Sequence, residues 1–324
     1  MDLPWLIIIG TTFSVYLVIG TGAAVRQIGW LTEEADQSLL RLMLRVLYPC
    51  LIFSVVADNP ALKQGENLYY PPVVAFGSIM LGFAVAGVVA RLGRSATGLT
   101  TAASRRQFTF SVGIYNYGFV PIPLIRMLFD DPTLGVLFVH NVAVDLTIWT
   151  IGIMLLRGSF GRDWWRHLLN PPAIALAVSL AVNFLGAKAY LPTFLYQAVG
   201  LLGQAAIPMS LVLVGATMAD EVAHARRKGG RIGDGAKTIG WACLVRLLVL
   251  PMLFLTAAVL LPCSIELKRV MVVQAAMPSA VLPVVLARIY AGDAGVGLQV
   301  ALTTSLMSIA TIPLWIVLGM TLIG

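Results

Sequence analysis

Two short stretches carry chemistry that a lipid-facing helix does not need. Residues 116 to 123 read Asn-Tyr-Gly-Phe-Val-Pro-Ile-Pro and residues 277 to 283 read Met-Pro-Ser-Ala-Val-Leu-Pro, each at the centre of an otherwise apolar run. A proline inside a helix removes one backbone donor and frees a carbonyl, which hydrocarbon tolerates only where protein or a water-filled cavity satisfies the leftover groups. Asn116 and Ser279 offer directional hydrogen bonds, Gly118 allows close backbone approach, and Tyr117 offers support for a planar or apolar substrate body. Each second half-helix is expected to begin near a proline, at Pro121 and Pro123 or at Pro283, a residue suited to the first helical position. Its free N–H groups carry a partial positive charge of roughly half a unit, so it can attract an anion without a buried Lys or Arg.

Asn141 and Asp145 stand one turn apart on one face of another apolar run. An intramembrane carboxylate is costly enough to suggest substrate, ion or proton handling, which makes Asp145 the coupling candidate; the alternative is a structural hydrogen bond or ion pair. His140 lies off that face and reads as a packing or interfacial residue. Arg246 reads as an anion guide or ion-pair partner, or as structural if it only snorkels to the inner membrane face; the structural reading is favoured, and snorkelling is also expected of Arg41 and Arg45. Arg126 and Arg288, just beyond the breaks, are expected to compensate half-helix C-terminal dipoles or to bind lipid headgroups.

The elements that must position these groups follow from composition. Of 324 residues, 59% are hydrophobic and only 11% charged, and the mean hydropathy is +0.89. These values specify an all-α integral membrane protein. Ten apolar stretches are expected to cross the bilayer, at about 4 to 24, 36 to 57, 71 to 91, 106 to 129, 133 to 156, 171 to 186, 194 to 218, 238 to 261, 267 to 290 and 296 to 322. The first lacks a basic flank and is too long for a signal peptide, so it reads as a mature transmembrane helix. No hydrophilic stretch is long enough for a soluble catalytic domain, and no metal-ligand cluster, nucleophile elbow or phosphate loop is present; neither an enzyme nor a cofactor is expected. Cys50, Cys243 and Cys263 have no metal-like spacing and read as packing residues. The net charge of +7 belongs at a membrane face rather than on nucleic acid.

Basic residues set the expected orientation. Fourteen lie on odd-numbered connections (Arg26; Arg91, Arg94, Arg105 and Arg106; Arg157, Arg162 and Arg166; Arg226, Arg227, Lys228, Arg231 and Lys237; Arg288), against five on even ones (Lys63, Arg126, Lys188, Lys268 and Arg269). Both termini of this multi-pass protein are therefore expected outside the cytoplasm, in a plasma membrane of bacterial inner-membrane type. An offset of 162 lays Pro121 on Pro283, Arg126 on Arg288, Asp131 on Asp293 and Gly135 on Gly297. Two five-helix halves of opposite orientation, residues 1–157 and 158–324 joined near Gly158 to Gly161, are the expected plan, an inverted repeat common in secondary transporters.

These residues resemble the auxin efflux carrier family. Asn116 through Pro123 with Leu124-Ile125 is similar to its fourth-helix break, and Ala276-Met277-Pro278 through Pro283-Val-Val-Leu-Ala-Arg288-Ile-Tyr290 to its ninth-helix signature. Asn170-Pro171, Pro49-Cys-Leu-Ile-Phe53 and Asp145-Leu-Thr-Ile-Trp149 are weaker echoes. Two departures, Asp145 where plant members tend to carry Gln and the lack of a large central hydrophilic loop, argue against the plant hormone itself. The resemblance implies a fold of the bile-acid, arsenite and riboflavin transporter-like type. In it, broken helices 4 and 9 cross at the bilayer midplane in a transport domain (helices 3–5 and 8–10) beside a scaffold (helices 1, 2, 6 and 7). The expected activity is secondary transport of a small organic anion, a carboxylate such as malate, malonate or an auxin-like acid, by alternating access. Its ligands would be Asn116, Tyr117, Gly118, Pro121, Pro123, Met277, Pro278, Ser279, Pro283, Asn141 and Asp145. Membrane lipid and a coupled proton are the further expected partners, and a homodimer is compatible with the plan. The alternatives are a sodium-coupled symporter of bile-acid type and a non-transporting receptor or channel on the same architecture.

Overall fold

The computed structural model describes residues 5–157, 170–227, 235–290 and 292–324; the expected junction at Gly158 to Gly161 and the basic residues Arg162, Arg166, Lys228 and Arg231 lie outside them. Among the described residues every regular element is helical. The helices are α1 (Trp5–Gln27), α2 (Glu33–Val56), α3 (Glu66–Ala90), α4 (Ala102–Gly113), α5 (Pro121–Leu128), α6 (Asp131–Arg157), α7 (Pro171–Leu185), α8 (Thr193–Arg227), α9 (Ala236–Leu260), α10 (Ile265–Ala276), α11 (Leu282–Ile289) and α12 (Ala294–Ile323). Seven of them, α1, α2, α3, α6, α8, α9 and α12, are long and apolar enough to cross a membrane, while α7 is shorter.

The apolar runs expected at 106 to 129 and 267 to 290 are each two helices, α4 with α5 and α10 with α11, and neither half is long enough to span alone. Helix α8 runs well past the expected end at 218, because Met-Ala-Asp-Glu-Val-Ala-His continues the helix with good helix formers after the apolar run stops.

Side-chain caps fix the starts of several helices. Thr101 and Ser104 form a capping box on α4, Asp130 Oδ1 accepts from the Thr133 N–H at 2.9 Å on α6, Asn170 Oδ1 accepts from the Ala173 N–H at 2.9 Å on α7, and Ser264 and Asp293 cap α10 and α12. Gly186, at φ 62°, closes α7 in the left-handed conformation. π turns interrupt α2 at Met43–Leu47, α6 at Ile148–Gly152 and α9 at Val245–Val249. Pro251 follows the last of these and leaves the Leu247 carbonyl without its helical donor; Trp315 Nε1 of α12 donates to it at 2.8 Å.

Small residues let backbones approach where lipid gives no hydrophobic drive between helices. A Cβ on Gly22 would strike the Val212 carbonyl and one on Gly215 the Ile19 carbonyl, so α1 and α8 lie backbone against backbone. Helix α2 packs between α7 and α8, with Asn183 Nδ2 donating to the Val56 and Asn59 carbonyls at 2.7 and 2.9 Å. Helices α3, α4 and α6 pack on one another, as do α9, α10 and α12, and α10 also touches α6. These contacts bring the two gaps, 114–120 and 277–281, together in the interior.

Candidate functional site

The two gaps meet as a single antiparallel bridge between Tyr115 and Ser279. The Asn116 N–H donates to the Pro278 carbonyl at 2.8 Å and the Ala280 N–H to the Ile114 carbonyl at 3.0 Å. Each break thus satisfies part of the other's exposed backbone, which neither could do alone in an apolar interior. The remaining groups are held by side chains. The Tyr117 carbonyl accepts from Asn141 Nδ2 at 2.8 Å and from Gln274 Nε2 at 3.3 Å, and the Thr304 hydroxyl accepts from the Ser279 N–H at 3.2 Å. Gln107 Nε2 donates to the Pro283 carbonyl at 3.0 Å.

Polar groups without a partner concentrate at the same place. Among the described residues, the Asn116 side-chain amide, 8% exposed, makes no hydrogen bond, and Ser279 Oγ and Gln274 Oε1 are buried and unpaired. The N–H groups of Gly118, Phe119 and Val120 before α5, and of Val281 and Leu282 at the start of α11, also lack partners among the described residues. Pro121 opens α5, and Pro283 stands in the first turn of α11. A Cβ built on Gly118 would meet nothing within 4 Å, so open space faces the α5 entrance and no packing constraint demands glycine there. Two helix N-termini that follow bridged segments, one carrying an unpaired amide and the other an unpaired hydroxyl, are an arrangement suited to an anion.

The structure brings Asn116, Tyr117, Asn141, Asp145, Pro278 and Ser279 to this crossing. Tyr117 hydroxyl donates to Asp145 Oδ1 at 2.6 Å, and no basic residue pairs with Asp145 among the described residues. Met277 and Pro278 are buried behind the bridge, and Pro123 stands in the first turn of α5. His140 is buried, its Nδ1 3.3 Å from Asn141 Oδ1 and its Nε2 3.4 Å from the Tyr115 hydroxyl, which lies 2.8 Å from Ser78 Oγ. Tyr48 of α2 places its ring edge to face against Phe119, joining the first break to a neighbouring helix.

One expectation is overturned. Arg246 does not snorkel: its side chain, in the π turn Val245–Val249, is 0% exposed. Its guanidinium lies 5.4 Å from the Tyr115 ring centroid and 5.5 Å from that of Phe254. Arg126 and Arg288 pair with acids rather than standing alone at their helix ends, with Asp131 at 3.1 Å and with Glu221 of α8 at 2.6 Å. Tyr115, Gln274, Gln107 and Thr304 were not picked out by sequence. For the two glutamines the signal was available, an uncharged polar residue inside an apolar run; for Tyr115 there was none.

The profile of the membrane transport protein family matches this chain over residues 7–162 and 157–316. An uncharacterized transporter of Methanothermobacter thermautotrophicus is 26% identical over 311 residues, covering 94% of this chain and 96% of the relative. An uncharacterized transporter of Methanocaldococcus jannaschii is 24% identical over 309 residues, covering 93% and 95%. Both agree with a multi-pass membrane protein built from long apolar helices, and membrane transporters are generally not enzymes. With both matched segments together spanning nearly the whole sequence, the chain belongs to the membrane transport protein family, that of the auxin efflux carriers.

Proposed function

We propose that the protein is a secondary transporter of a small organic anion, a carboxylate of malate or malonate type, which binds at the crossing of the two broken helices and crosses the membrane by alternating access. The observation that carries this reading is the Tyr115 to Ser279 bridge, which sets two helix N-termini with unpartnered N–H groups beside the unpaired amide of Asn116. In this reading the chain crosses the membrane ten times as two inverted repeats, residues 1–157 and 158–324, with α4–α5 and α10–α11 each counting as one crossing. Helices α1, α2, α7 and α8 form the scaffold, against which the remaining helices move with the bound anion.

Asn116 and Ser279 direct hydrogen bonds to the carboxylate, the α5 and α11 N-termini supply its positive field, and Tyr117 lines the open space beside Gly118. Asp145, hydrogen-bonded to Tyr117, takes up a proton together with the anion and neutralises the moving charge. Uptake of labelled malate, malonate, pyruvate and an indole acid into proteoliposomes, with and without proton and sodium gradients, tests the reading. Saturable uptake of one or more acids, quickened by a proton gradient, is expected. Dependence on sodium would favour a bile-acid-type symporter, and flux without saturation a channel. The termini are placed outside the cytoplasm, so labelling from outside should reach a cysteine near Gly324 but not one near Arg227; the reverse pattern would overturn the orientation.

A further inference from the structure

Arg246 is the cation at the crossing for which the site described above has no use. It is 0% exposed, its Nε and both terminal nitrogens lack hydrogen-bond partners, and no carboxylate pairs with it among the described residues. What surrounds the guanidinium is aromatic: the Tyr115 face at 5.4 Å and the Phe254 face at 5.5 Å. Such faces attract a cation through their quadrupoles but carry no net charge, so they hold Arg246 in place without neutralising it. Tyr115 is also the residue whose backbone bridges to Ser279, so the ring against which the guanidinium lies belongs to the bridge itself.

We propose that Arg246 is the electrostatic selector of the anion site: a permanent, desolvated cation behind the Tyr115 ring that sets how strongly substrate charge counts in binding. This rests on the carboxylate reading given above and adds the determinant of charge preference to it. The residue does not touch the anion. It acts through the interior, where a charge without a counter-ion is poorly screened. The guanidinium lies 5.4 Å from the Tyr115 ring centroid; for an anion on the order of 10 Å away, an effective dielectric of about 20 makes a unit charge worth roughly twentyfold in affinity per unit of ligand charge. A dianion should gain more than about a hundredfold from the same residue. A purely structural Arg246, packed between two rings, would affect pyruvate and malonate alike.

The test measures binding of pyruvate, a monoanion, and malonate, a dianion at pH 7.5, to the full chain in detergent, for wild type, Arg246→Met, Arg246→Gln and Arg246→Lys, with thermal unfolding of each as the check on folding. The neutral variants are expected to lose roughly twentyfold for pyruvate and more than about a hundredfold for malonate, whereas Lys, a buried amine that can give up its proton where Arg does not, falls between wild type and the neutral variants for both. Equal losses for the two ligands in a folded neutral variant, or no loss, would overturn the proposal. Should neither neutral variant fold, wild type decides: malonate bound more tightly than pyruvate supports the proposal, and malonate bound no more tightly contradicts it. If wild-type protein binds neither acid, the carboxylate reading falls first and takes this inference with it; if wild type binds both and the variants do not discriminate, only the selector falls.

Discussion

At the first break the chain leaves α4 at Gly113 and re-enters helix at Pro121; at the second it leaves α10 at Ala276 and resumes at Leu282. The backbones pair through the Tyr115 to Ser279 bridge, but the side chains of the two breaks differ. Tyr117, Gly118 and Phe119 are partly exposed, and this break carries the unpaired Asn116 amide and the Tyr117 to Asp145 hydrogen bond. Residues 277–280 are buried, and Ser279 is the one polar side chain among them. Each break opens a helix N-terminus, while the partly exposed groups are concentrated on the first break and the second is buried apart from its backbone dipole.

The same inequality appears beyond the breaks. Arg126 pairs with Asp131, itself half exposed, a few residues along the chain, whereas Arg288 pairs with Glu221 of α8, whose side chain is 7% exposed. Positions matched by an offset of 162 thus share a residue type but not a partner, and only the second ties its half-helix to α8.

Substitutions can break this comparison in graded fashion. Between the two breaks the larger effect is expected at Asn116: Asn116→Ala should weaken carboxylate binding about tenfold to a hundredfold, the range of one hydrogen bond to a charged group, while Ser279→Ala stays within about tenfold. Equal losses, measured by ligand-dependent thermal stabilisation in detergent, would make the two breaks equivalent. Asn141→Leu should come next, lowering stability by about 1–3 kcal/mol because the Tyr117 carbonyl keeps only the longer Gln274 donor. Its unfolding midpoint, compared with that of Val142→Leu on the exposed face of α6, reads this out.

For the arginines, Arg288→Gln should destabilise by about 1–2 kcal/mol through the buried Glu221 left unpaired, and Arg126→Gln by about 0.5 kcal/mol or less. Glu221→Gln combined with Arg288→Gln should recover most of the first loss, since the cost lies in the orphaned carboxylate. Asp145→Asn should leave stability nearly unchanged, because an amide still accepts from the Tyr117 hydroxyl; it should retain substrate exchange and lose accumulation driven by a proton gradient. Proton-driven accumulation that survives in this variant would remove Asp145 from coupling.

How much of this was legible in the sequence depends on whether a feature is local. The breaks could be read because Pro121 and Pro123, with Asn116 and Gly118, and Pro278 and Pro283, with Ser279, come as clusters, whereas the lone prolines Pro208, Pro251 and Pro313 lie inside continuous helices. Asn141 and Asp145 could be read because a polar residue at membrane depth is costly in any fold. The direction of Arg246 could not. Snorkelling is the default for an arginine in an apolar helix, whereas here the guanidinium lies against Tyr115 and Phe254, which are far apart in sequence. Nor could the partners of the Tyr117 carbonyl be found, since Gln274 reaches it from 157 positions away along the chain.

Counterflow tests the central claim most directly: proteoliposomes are preloaded with unlabelled malonate and entry of labelled malonate is followed for wild type and Asn116→Ala side by side. An alternating-access carrier with its anion at the crossing predicts a transient overshoot in wild type that is abolished, or shifted to at least about tenfold higher substrate concentration, in the variant. Wild-type flux that never saturates and shows no overshoot, or an undiminished overshoot in a folded Asn116→Ala protein, would contradict it.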